Sequence, residues 1–212
     1  MSGIGFVGSL HCSTWLTLAG GAVAVVGMVL AVGGHLSGAV IALVIAGLCD
    51  LADGPIARST TRSPAQRAHG VQLDSLVDVV SFLALPVAIA ATVTGPWVAA
   101  VVGALYVAAG VTRLAAFTVS QDADGDEPPT ISTPVSHYRG LPVTYAALVL
   151  PVLAWPLARF APAALGWGWA GLLAVLGLLF VIDVPVTKPR GAAYAVFGVL
   201  AVAVIVAWAV AS

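Results

Sequence analysis

The sequence predicts an all-α integral membrane protein, a six-helix transmembrane core with a seventh, C-terminal span, forming one domain over residues 1–212. Three observations carry this expectation. Of the 212 residues, 60% are hydrophobic and 8% charged, whereas soluble domains carry about 25% charge. A mean hydropathy of +1.07 does not suit a chain that faces water on all sides, so the soluble, disordered and nucleic-acid-binding classes are excluded. Apolar runs also recur near the roughly 20 residues that a helix needs to cross a bilayer, with Gly and Pro between them.

The spans follow in order along the chain. The first is Trp15–Val32; residues 1–13 hold no Lys or Arg, so no cleavable signal peptide is expected and this run stays. Leu36–Leu51 and Gly70–Val93 are the odd pair, because polar residues invade the ends that face each other. Trp97–Val119, Leu141–Leu157 and Leu165–Ile182 complete the core, and Ala192–Ala211 is the extra span. Cys12 and Cys49 lack any disulfide or metal-type spacing and read as small apolar fillers. The six tryptophans, Trp15, Trp97, Trp155, Trp167, Trp169 and Trp208, fall mostly near span ends, as in an interfacial aromatic belt.

Charge then orients the bundle. Arg58, Arg62, Arg67, Arg113, Arg139, Lys188 and Arg190 fall on one side of an alternating topology, and Arg159 alone on the other. The positive-inside rule makes that side cytoplasmic. The acidic run Asp122, Asp124, Asp126 and Glu127 lies in a polar loop over 120–140, read as a solvated connector, with a lid over the site as the alternative.

Asp50, Asp53, Asp74 and Asp78 are the informative residues. Each carboxylate in a membrane span costs a few kcal/mol. Asp50 and Asp53 are three apart and Asp74 and Asp78 four apart, so each pair shares one helical face. Both pairs sit near the cytoplasmic ends of adjacent antiparallel helices and can converge. Four carboxylates at one point repel unless cations neutralise them. An oxygen-only donor set suits Mg²⁺, Mn²⁺ or Ca²⁺ rather than zinc. Four such ligands are enough for two divalent ions, an arrangement that clamps phosphate oxygens during displacement at phosphorus. Gly54 and Gly70 open the facing walls, Ala57 keeps one face small, and Arg58 offers paired donors to phosphate. Small residues in membrane helices more often serve close packing; here the conjunction of acids, glycines, alanine and arginine in register describes a slot for a nucleotide diphosphate beside metal ions.

The segment Asp50-Leu-Ala-Asp53-Gly54-Pro-Ile-Ala57-Arg58, followed by Gly70-Val-Gln-Leu-Asp74-Ser-Leu-Val-Asp78, resembles the CDP-alcohol phosphatidyltransferase signature D-x-x-D-G-x-x-A-R…G-x-x-x-D-x-x-x-D at all eight fixed positions. The intervening Ser59–His69 is eleven residues, longer than the family's usual spacing. Leu73–Phe82, Gly110–Phe117 and Tyr138–Pro142 are most similar to the phosphatidylserine synthase branch, while Asp183–Pro189 matches it poorly. The resemblance implies a homodimeric membrane enzyme dependent on two divalent cations, Mg²⁺ or Mn²⁺. Asp50, Asp53, Asp74 and Asp78 match its metal ligands, and Asp78 its general base. Gly54, Ala57, Arg58 and Gly70 match positions that line the CDP moiety.

The expected activity is transfer of a phosphatidyl group from CDP-diacylglycerol, or an ether-lipid analogue, to the hydroxyl of serine with release of CMP, in the cell (inner) membrane with the active site facing the cytoplasm. Arg113, Arg139 and Tyr138 are candidates for the acceptor or the lipid phosphate; each arginine is also a plausible topology anchor. Few basic residues lie outside the motif loop, which favours a zwitterionic acceptor over glycerol 3-phosphate or inositol phosphate. A cation transporter using intramembrane acids is the remote alternative, disfavoured because the chain shows no internal repeat and its acids lie at one membrane face.

Overall fold

The computed structural model describes residues 12–58, 63–123, 137–183, 185–187 and 192–210. Among them the chain forms eight α-helices: α1 (Cys12–Val32), α2 (Leu36–Arg58), α3 (Pro64–Asp78), α4 (Leu85–Val93), α5 (Pro96–Ala123), α6 (Ala146–Phe160), α7 (Leu165–Val181) and α8 (Ala192–Val210). A π-helical segment, Val79–Ala84, joins α3 to α4, so these two make one span. Six stretches are long and apolar enough to cross a membrane: Ser13–Val32, Leu36–Pro55, Ala65–Val93, Pro96–Val119, Val143–Phe160 and Pro162–Val181. The expected C-terminal span is a shorter apolar helix, Tyr194–Val210.

The third span begins earlier than the apolar run suggests. Ser63 caps α3: its side chain accepts from the Gln66 amide at 3.2 Å, and the Gln66 side chain accepts from the Ser63 amide at 2.9 Å. With Pro64 in the first turn, this capping box starts the helix midway through the stretch between Arg58 and Gly70 and fixes the phase of Gly70, Asp74 and Asp78.

The π segment has an identifiable cause. Pro86 has no amide hydrogen and crowds the carbonyl four residues back, that of Phe82. The Tyr106 hydroxyl of α5 donates to this carbonyl at 2.8 Å, and the Trp169 indole donates to the Pro86 carbonyl at 3.0 Å. Inside a bilayer such a break persists only where neighbouring helices satisfy the freed groups.

α1 packs along α2, α5 along α7, and α8 against α2 and α6. Gly47 lets α2 and α6 approach closely, since a Cβ there would lie 2.6 Å from that of Ala147. The core runs through Leu43, Phe82, Leu83, Leu150, Leu173 and Phe180, whereas Val29, Val32, Val101 and Val199 face outward. That outward apolar face is what a lipid-embedded bundle requires.

Two expectations are corrected here. Trp169 and Trp208 are not belt residues: they are 0% and 1% exposed, with indoles bonded to the carbonyls of Pro86 and Pro151. Trp15, Trp97 and Trp167 are exposed, as a belt requires. The stretch read as loop up to Gly140 ends in a strand, β1 (His137–Arg139), paired antiparallel with β2 (Pro185–Thr187) in a two-stranded ribbon. Residues 124–136, which hold most of the acidic run, lie outside the described residues, as do Arg62, Lys188 and Arg190.

Candidate metal and active site

The acids come together at one end of the bundle. Asp50 is on the second half of α2 and Asp74 and Asp78 on the second half of α3, and one carboxylate oxygen from each lies within 4.8 Å of the others. Asp78 is buried; Asp50, Asp53 and Asp74 are half-buried. The fourth acid, Asp53, stands outside this triad but lines the same narrow chamber. There its Oδ2 accepts a hydrogen bond from the Thr17 hydroxyl of α1 at 2.7 Å. The sequence gives no hint of Thr17, whose role depends on α1 lying against α2.

The triad opens onto a cavity of about 150 Å³. Its wall includes Arg113 and Phe117 of α5 and the turn Pro142–Thr144. Arg113 is buried at 8% exposure, with its guanidinium 5.3 Å from the Phe117 ring centroid. It lies in the C-terminal third of the span Pro96–Val119, on α5. Gly140 accounts for the fit of the opposite wall. It has φ +77°, and a Cβ would lie 2.8 Å from the Phe180 carbonyl oxygen and 3.6 Å from Arg113 Cδ. The Leu141 amide donates to the Leu179 carbonyl at 3.1 Å, so the chain enters α6 pinned against the end of α7. A hydroxyl contact of 3.2 Å between Ser75 and Thr118 ties α3 to α5.

A second, apolar cavity of about 90 Å³ lies between α2, α6 and α8, and includes Leu48, Tyr145 and Phe197 in its lining. Asp50 and Thr144 line both cavities and so stand between them. Thr144 was not singled out in the sequence; only its place after Gly140-Leu-Pro hints at it.

The other expected site residues lie on α2, α3 and β1. Gly54 and Gly70 are half-buried on α2 and α3. Ala57 and Arg58 close α2, and Tyr138 and Arg139 lie in β1, where they pair with Val186 and Pro185. The side chains of these four lie outside the described residues.

The donor chemistry fits a hard divalent cation. Three carboxylates within 4.8 Å face one guanidinium in the same cavity, and no His or Cys joins them among the described residues. Oxygen ligands at that spacing suit Mg²⁺ or Mn²⁺ better than softer metals.

Fold and site together define a polytopic membrane protein with an acidic centre, capable of coordinating a divalent cation, at one end of its helices. The chain matches the model of the family described as CDP-alcohol phosphatidyltransferase over residues 10–211. It therefore belongs to the CDP-alcohol phosphatidyltransferase family. It is also similar to an archaetidylserine synthase of Methanothermobacter thermautotrophicus, 31% identical over 125 residues, which is 58% of this chain. The matched stretch covers 48% of that relative's length.

Proposed function

We propose that this protein transfers the phosphatidyl-type group of a CDP-linked lipid to the hydroxyl of serine and releases CMP. The observation that carries this is the convergence of Asp50, Asp74 and Asp78 within 4.8 Å beside a cavity that also holds Arg113. The same end of the bundle carries Arg58, Arg67 and Arg113, which supports a cytoplasmic active site by the positive-inside rule.

Asp50, Asp53, Asp74 and Asp78 are the residues that hold two divalent cations in this reading. When bound, the cations neutralise the diphosphate and draw electron density from its phosphorus. Gly54, Ala57 and Gly70 give the CDP moiety close access to the backbone, and Arg58 donates to its phosphates. Asp78 accepts the proton of the serine hydroxyl. The serine oxygen bonds to the lipid-side phosphorus, and the bond from that phosphorus to the bridging oxygen breaks, its electron pair leaving with CMP. Arg113 pairs with the carboxylate of serine in the cavity that it shares with Asp78, which supports serine as acceptor, as does the name of the relative. Tyr138 and Arg139 precede in the chain the turn that lines that cavity and contribute to the acceptor or lipid-phosphate site in this reading. The protein acts as a homodimer in this reading.

A CMP-release assay in liposomes with CDP-diacylglycerol tests it, comparing serine, glycerol 3-phosphate and inositol phosphate with and without Mn²⁺. Serine-stimulated, Mn²⁺-dependent release is expected. Stimulation by a phosphorylated acceptor and not by serine would reassign the acceptor, and absence of CMP release with every acceptor would return the acids to the transporter alternative.

A further inference from the structure

Behind the acid triad, on the side away from the larger cavity, lies a chamber of about 10 Å³. Thr17, Asp50, Asp53, Asp74, Asp78 and Ser81 supply its polar lining. Ser81 is the unusual member. It is 1% exposed, and its Oγ makes no hydrogen bond to the described protein atoms. A buried hydroxyl left in that condition is destabilising, and native structures rarely keep one without a use. Ser81 stands in the π-helical segment that directly follows Asp78; such segments are frequent at functional sites.

The chamber's size decides what meets this hydroxyl. About 10–15 Å³ is the space of a single water, which needs two to four polar partners. The donors and acceptors balance for one water. Carboxylates only accept, and the Thr17 hydroxyl proton is already shared between Asp53 at 2.7 Å and the Ser13 carbonyl at 3.2 Å. Ser81 Oγ–H remains to donate to the water oxygen, and the two water protons then reach two carboxylates of the site.

We infer that Ser81 is a positioning residue of the acidic centre: its hydroxyl holds one buried water that orients the cation-binding carboxylates from behind. This rests on the reading of those acids as a cation site. Groups that orient ligands in this way change metal affinity by roughly 10–100-fold when removed.

The test is Mn²⁺ binding to the purified full chain in detergent, read by the electron paramagnetic resonance of free Mn²⁺ with no lipid present. Ser81→Ala and Ser81→Cys are compared with the wild type. The Cys variant keeps the shape of the side chain with a slightly larger atom and has only a weak donor, so with unchanged thermal unfolding it reports the loss of the hydroxyl rather than a loss of packing. Both variants are expected to bind Mn²⁺ about tenfold or more weakly, with thermal unfolding of Ser81→Cys unchanged. Wild-type affinity in Ser81→Cys would overturn the inference, whatever the Ala variant does. A wild-type protein that binds no Mn²⁺ would overturn the cation reading itself along with it.

Discussion

The α6–α8 pair and the α2–α3 pair both bury polar groups in an apolar bundle, and they do so in opposite ways. Between α6 and α8 the polar atoms are neutral and matched. The Trp208 indole donates to the Pro151 carbonyl and the Trp155 indole to the Ala207 carbonyl, each at 3.1 Å. Between α2 and α3 the polar atoms are three like charges within 4.8 Å. The first arrangement is complete within the chain and holds two helices together. The second sets carboxylates that repel one another when ionised, in a group capable of coordinating a divalent cation. Polar burial by itself therefore says little about function; whether the chain satisfies its own groups separates a structural contact from a ligand site.

Several substitutions sharpen or break this contrast. The largest effect is expected from Asp78→Asn, which removes the proposed base and a ligand while keeping the shape. CMP release should fall by at least 10²–10⁴-fold, the usual contribution of general-base help. Thermal stability in detergent should hold or rise as like-charge repulsion is relieved; a loss of folding instead would place Asp78 among the structural residues. Chelation with EDTA should likewise abolish turnover, and added Mn²⁺ or Mg²⁺ should restore it, with no change in helix content by circular dichroism.

Arg113→Lys comes next. Lysine keeps the charge but not the paired donors or the stacking on Phe117. The KM for serine should rise about tenfold or more while Mn²⁺ affinity stays within a few-fold. An unchanged KM would leave Arg113 as a structural cation. Thr17→Val removes the hydroxyl that holds Asp53 at 2.7 Å, and Mn²⁺ affinity should drop by roughly tenfold. The smallest catalytic effect belongs to the other region. Trp208→Phe leaves the Pro151 carbonyl without its donor and should cost about 1–3 kcal/mol of stability, read by detergent melting, with kcat for CMP release near wild type. A large kcat loss in this variant would dissolve the distinction between the two regions.

Much of the architecture was legible because charge is scarce in this chain. Six membrane-length helices and a shorter seventh stand where apolar runs were read, and the signature acids were identified by their spacing alone. What was hidden depends on contacts between distant segments. The π segment at Val79–Ala84 needs Tyr106 to take the Phe82 carbonyl, a partner 24 residues away. Thr17, Ser81 and Thr144 are ordinary residues until α1, the π segment and the turn before α6 meet the acids. Trp169 and Trp208 looked interfacial because they lie near helix ends, but their indoles find buried carbonyls on other helices. The ribbon of β1 and β2 joins segments that share no local pattern in the sequence.

The central claim is most directly tested by following labelled serine into lipid. Wild-type protein in liposomes with a CDP-linked lipid and Mn²⁺ should move the label into the organic-extractable fraction in step with CMP release, and Asp78→Asn should not. Label that stays in the aqueous phase while CMP accumulates would contradict the account, as would transfer that continues unchanged in Asp78→Asn.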